Sequence, residues 1–250
     1  MVELSIRIGA RLSGPGGTGT CTIGAFAKGT DDTTLAVTVW HAFAHEKTLD
    51  VHLEGSSVRV GSLLPPPGRE LTRRPFWTAI GLVRLDDGIK RSDAMHENEY
   101  APLIAAPLDT VLGKQVCRFG VSGSSGIVAA THGILRLTNP LDHRTFVYED
   151  TVEVRFASAS GLGKGDAGSL VMTRTGEALG LVVAAGREVC YVAPLAPLLE
   201  KETLTLVAAS PVADRSAAGD FILAHNRQIR DDLRAEEPFD LGPMPEREAA

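Results

Sequence analysis

Two places in the 250-residue chain hold residue types that can do chemistry together. The first is His41 in LAVTVWHAFAHE, where an apolar run ends and the polarity changes. An imidazole at such a point can take and return a proton near neutral pH. The second, about 120 residues on, is GKGDAGSLVM at 163–172. Gly165 and Gly168 permit a tight turn there, and a tight turn can aim successive backbone N–H groups into one small space, as an oxyanion hole requires. Between the glycines stand Asp166 and Ala167, a carboxylate and a methyl group. Each place alone has an ordinary alternative. A histidine at a strand end is commonly a surface or core residue, and a GD.G loop also joins plain hairpins.

The elements that must position these residues are strands. Short runs rich in β-branched residues, such as LAVTVW, LDVHLEG, SVRVGSLL, IGLVRL, KQVCRFG and EVCYVAPL, recur about every ten residues between turn formers. The longer stretches GIVAATHGILRL, FVYEDTVEVRFA and SLVMTRTGEALGLVVAAG continue the pattern. That pattern predicts an all-β protein, a sandwich or barrels. The opening MVELSIRIGARLSG alternates and predicts a short strand rather than a signal peptide. SGPGGTG at 13–19 lacks the Lys and helix of a phosphate loop and reads as a strand connection. Helical periodicity comes only late: in 216–237, Ile222, Ile229 and Leu233 fall at i, i+7 and i+11. The proline-bearing stretch from 238 to 250 reads as a flexible tail.

Bulk composition narrows the function. A formal charge of -6, with 25 basic and 31 acidic residues intermixed, offers no basic stripe for phosphates, so no nucleic-acid partner is expected. No apolar run reaches the length of a membrane span. Cys21, Cys117 and Cys190 form no CxxC pair, and the other six histidines show no short ligand spacing, so neither a metal nor any other cofactor is expected. The odd thiol count and the absent leader point to a cytoplasmic protein.

VTVWHAFA, IGLVRL, GDAGSLV, EALGLVVAAG and EVCYVAPL occur in that order, and together they resemble the chymotrypsin-fold (trypsin-like) serine peptidases. The match is to the bacterial-style branch carrying GDSGSLV, and it covers roughly residues 15 to 205. The resemblance implies two six-stranded antiparallel β-barrels with a C-terminal helix and flexible tail. Residues 1–105 would form the barrel carrying His41, 106–205 the barrel carrying the GDAGS loop, and 206–250 the extension. His41 matches the general base. Gly165 matches one oxyanion donor, and the backbone N–H of residue 167 would be the other. Asp166 matches the loop aspartate that pairs with a new N-terminus in secreted members, but no activation site is present to create one.

Two positions depart from that pattern. Ala167 stands where the nucleophilic Ser belongs, and loss of that hydroxyl typically costs on the order of 10⁶ in turnover, about 8 kcal/mol of barrier. At the acid position the alignment places Ala79, or Trp77 in a register two residues earlier, and neither can orient an imidazole. Asp86 and Asp87 lie just beyond and read as solvated turn residues. Gly161 matches the base of the specificity pocket, and Val183, Ala184, Ala185 and Gly186 match a wall, which suits a small or apolar side chain.

The resemblance thus implies a serine endopeptidase by ancestry, inactive because Ala167 replaces the nucleophile. The intact glycine frame points to an engineered Ser→Ala exchange. The alternative is a natural pseudoprotease that binds peptides or scaffolds. Either way the expected partners are a protein or peptide substrate and a regulatory protein.

Overall fold

The computed structural model describes residues 4–207, apart from 16, 18, 45–47, 66–72, 93–103, 120–123, 139–144, 157–164 and 186–188. The helix expected at 216–237 and the tail after it lie outside the described residues. In chain order the first strands are β1 (Leu4–Ile6), β2 (Arg11–Ser13), β3 (Thr20–Thr22), β4 (Ala25–Lys28) and β5 (Thr34–Val39). Then come β6 (Asp50–Leu53), β7 (Arg59–Leu63), β8 (Arg73–Pro75), β9 (Ile80–Leu85) and β10 (Ile89–Arg91). The second half holds β11 (Gln115–Phe119), β12 (Ser124–Thr138), β13 (Thr145–Phe156), β14 (Leu170–Thr173), β15 (Ala178–Ala185) and β16 (Val189–Pro194). One helix, α1 (Leu195–Lys201), and the two-residue strand β17 (Thr205–Leu206) complete the described residues.

The strands close into two barrels, as the resemblance implies. In the second, the sheet order β12-β11-β14-β15-β16-β13 is closed by the further pairing of β12 with β13, a ring of six. In the first, β2 pairs with both β3 and β6, and the order runs on through β7, β9 and β5 to β4. Because β3 and β4 are separated only by Ile23 and Gly24, they act as one bent strand, and this ring also has six members. Closure pairs most barrel strands on both sides, whereas residues 130–138 of β12 pair with β13 alone among the described residues. The bend falls on a glycine because a Cβ on Gly24 would lie 2.2 Å from Leu181 Cδ2 and 2.3 Å from the Gly168 carbonyl oxygen. Barrel one therefore turns its corner directly against β15 and the GDAGS loop.

Two short strands cross the half-chain boundary. β17 pairs with β4 of the first barrel, and β8 runs parallel to Val147–Glu149 of β13 in the second. Burial follows the period of two: Val152 and Val154 on β13, with Val116, Val128, Val182 and Val192, fill the second barrel. The larger core spans both sheets, with Phe26, Val37 and Val83 joined by Leu170, Leu181 and Leu198. Fully burying each such side chain contributes about 1.5–3 kcal/mol. Helix α1 was not expected from sequence, yet Leu195 and Leu198 are fully buried at helical spacing.

Candidate active site

β5 ends at Val39, and the chain then enters a single 3₁₀ turn, His41–Phe43, whose Ala42 and Phe43 are buried while His41 stays partly exposed. The turn is wedged in place from outside. A Cβ on Gly19 would lie 1.7 Å from the Ala42 carbonyl oxygen, so the SGPGGTG segment ends in a glycine that lets backbone lie directly on the turn carrying His41. The segment joins β2 to β3, the strand connection that the sequence suggests.

Ala79 and Trp77, the two residues expected at the acid position, differ in their register to β5. Val39 pairs with Ile80 in the β5–β9 ladder, and the next bond runs from the Trp40 N–H to the Ala79 carbonyl at 2.9 Å. Ala79 therefore sits across from the residue that precedes His41, and it is 3% exposed. Trp77 lies back within the 3₁₀ turn Phe76–Ala79, where its carbonyl accepts from Ile80 N–H. Phe76 holds this turn in place by an edge-to-face contact with Tyr148 of β13, ring centroids 5.3 Å apart. Asp86 stands beyond the opposite end of β9, roughly 20 Å along the strand. There it pairs with Arg59, Nη1 to Oδ2 2.5 Å, so it belongs to a surface ion pair far from the imidazole.

The GDAGS loop is fastened to the first barrel by two threonines. Thr22 Oγ1 donates to the Gly165 carbonyl at 2.6 Å, and Thr22 N–H donates to the Ala167 carbonyl at 2.8 Å. Thr38, three residues before His41, donates to the Thr22 carbonyl at 2.7 Å. The two motifs, remote in sequence, thus meet through Thr22 and Thr38. Gly165 and Gly168 have φ of +96° and +92°, the left-handed region that glycine enters without a Cβ clash. At Gly168 a Cβ would also lie 2.2 Å from the Thr22 carbonyl oxygen.

The peptide planes then orient the donors. The Asp166 carbonyl accepts from Ser169 N–H at 3.0 Å, inside the turn. Since the N–H of a trans peptide points opposite to its carbonyl, Ala167 N–H faces out of the turn. Among the described residues neither it nor Gly165 N–H donates to a backbone carbonyl. Ala167 itself is partly exposed.

Asp166 turns the other way. Its carboxylate meets Arg118 of β11, Nη1 to Oδ2 3.1 Å, with side chains 1% and 5% exposed. The pair gives the Asp166 carboxylate a cation from within the fold, which a buried carboxylate needs. Arg118 was missed from sequence, although it has the same strand parity as the buried Val116 and so falls on the inward face.

Of the expected pocket residues, Val183 is buried, Ala184 half-buried and Ala185 exposed at the end of β15, where the register shifts past Val182. Gly161 and Gly186 lie outside the described residues. Among the described residues no group of His, Cys, Asp and Glu side chains is arranged to hold a metal. No helix among them is long and apolar enough to cross a membrane.

Comparison with solved structures finds chymotrypsin-fold serine proteases. Thermobifida fusca protease A has a TM-score of 0.58 at 19% identity, over 81% of this chain and 98% of its own. An α-lytic protease homolog, N4, has 0.59 at 20%, over 80% and 98%. Cellulomonas bogoriensis chymotrypsin has 0.57 at 15%, over 83% and 100%. At such identities the likeness is one of fold. The sequence matches no protein-family model and no curated protein.

Proposed function

We propose that this chain is a serine-peptidase-fold protein that holds peptides without cleaving them. The observation that carries the reading is Ala79. It is buried and in register beside the strand end bearing His41, which supports reading it as the acid position, and it carries a methyl group just as residue 167 does. A single Ser→Ala exchange accounts for Ala167 and leaves Ala79 unexplained. Two losses on separate elements agree better with a site that natural change has taken out of catalysis.

What remains is suited to binding. The Asp166 carbonyl, turned into the loop, leaves the Ala167 N–H facing outward, where it can hold a carbonyl oxygen. The end of β15 offers extended backbone for an added peptide strand. A second reading, an endopeptidase disabled at residue 167 alone, is favoured by the intact loop and its buried Arg118–Asp166 brace.

Installing Ala167→Ser and assaying a pooled peptide substrate, with Ala167→Ser/His41→Ala as control, separates the two. Removing the orienting acid in a triad lowers kcat by about 10⁴. The binding reading therefore expects no more than trace His41-dependent cleavage, with peptide retention intact. Robust His41-dependent turnover would establish the endopeptidase instead.

A further inference from the structure

Arg11, on β2, has no part in the readings above, yet its guanidinium lies against the oxyanion-type loop. A Cβ on Gly165 would stand 3.1 Å from Arg11 Cζ and 3.3 Å from its Nε. The guanidinium's ion-pair partner is Glu54, Nη1 to Oε2 3.4 Å, with both side chains 35% exposed. Charge-assisted N–H···O⁻ bonds are usually about 2.7–2.9 Å. Among the described residues this long pair engages one of the five guanidinium donors.

Resting on the non-cleaving reading, we propose that the site recognises the free C-terminal carboxylate of a peptide. An internal peptide bond presents one neutral carbonyl oxygen, whereas a chain end presents two oxygens sharing a full negative charge. The groups gathered here are donors: the outward-facing N–H of Ala167 and the Arg11 cation against Gly165 of the same loop. Such backbone clusters capture carboxylates elsewhere.

The two departures from a hydrolase point the same way. A hydroxyl on residue 167 would sit beside the carbonyl carbon, in the space a second carboxylate oxygen needs, and the Ala167 methyl leaves that space open. An aspartate at 79 would set a negative charge behind His41, and Ala79 removes it. Both changes that end hydrolysis therefore make the site more hospitable to an anion. An Asp or Glu side chain shares the carboxylate chemistry, so the test must separate it from a chain end.

The full chain is applied to an array of random octapeptides in which each sequence occurs twice, with its C-terminus free or amidated; amidated peptides rich in Asp and Glu form a third set. The proposal expects bound sequences to favour the free acid by tenfold or more, about 1.4 kcal/mol. Arg11→Gln should lower free-acid affinity about tenfold and leave amide affinity unchanged. Glu54→Gln, which frees the guanidinium, should raise the acid preference, and it serves as the deciding variant if Arg11→Gln fails to fold by circular dichroism. Equal binding of acids and amides would overturn the carboxylate proposal while leaving peptide binding intact. Equal binding by the acidic amides would overturn recognition of the chain end. Absence of binding to all three sets would overturn the peptide-binding reading itself.

Discussion

Arg118 Nη1 lies 3.1 Å from Asp166 Oδ2, and this buried pair ties the inward face of β11 to the loop between Gly165 and Gly168. Removing one partner strands a charge in the interior, which costs about 3–5 kcal/mol. Arg118→Met should therefore lower stability by that amount in urea titration. The double change Arg118→Met/Asp166→Leu, which leaves no orphaned charge, should cost less than either single change. A strictly additive double would show that the two side chains do not act as a pair.

Gly168 and Gly176 both have positive φ, +92° and +88°, but differ in surroundings. A Cβ on Gly168 would be 2.2 Å from the Thr22 carbonyl oxygen, whereas one on Gly176 meets nothing within 4 Å. Gly176→Ala should cost about 1 kcal/mol from backbone strain alone. Gly168→Ala should cost about 3 kcal/mol or more, because overpacking adds to the strain. Thermal melting of the two variants side by side isolates the steric contribution.

Burial pushes the Cys21 and Cys190 thiols up to about 12 from an ordinary 9.0, the rise at Cys190 partly offset by Arg118. The folded state thus keeps them protonated where the unfolded chain ionises them. Stability from this source is complete below pH 9 and is lost as pH climbs toward 12, by on the order of 2 kcal/mol per thiol at pH 10.5. Urea midpoints at pH 8 and 10.5 measure the decline, and Cys21→Ala should make it shallower. At pH 8 neither thiol should react with a thiol reagent until the protein unfolds.

β17 pairs with β4, Val207 N–H donates to the Phe26 carbonyl at 2.9 Å, and Leu204 and Leu206 are each 9% exposed. A chain ending at Thr203 should be less stable than one ending at Val207 by about 3 kcal/mol, from two lost leucine contacts and an exposed strand edge. Equal denaturant midpoints for the two chains would show that β17 adds nothing to the first barrel.

Alternation and turn formers carry much of the fold in plain view. IGLVRL is strand β9 to the residue, KQVCRFG and EVCYVAPL each contain the strand they suggest, and LAVTVW holds all of β5 but Thr34, because short β-branched runs between turn formers are written locally. The glycines of the GDAGS loop are legible for the same reason, since positive φ is a property of single residues. Helix α1 was hidden by its brevity, and β8 and β17 by having too few residues to alternate. Their pairing depends on partners about 70 and 180 residues away, beyond the reach of any local pattern.

The site divides in the same way. That residues 79 and 167 bear methyl groups is a covalent fact, and neither side chain can attack a carbonyl or orient an imidazole. That Ala79 rather than Trp77 faces the strand end of His41 depends on the β5–β9 register, which only the assembled sheet sets. Only the tertiary structure, likewise, places Arg118 under Asp166 and Arg11 beside Gly165, since a charge's partner is decided by which strands the closed barrels bring together.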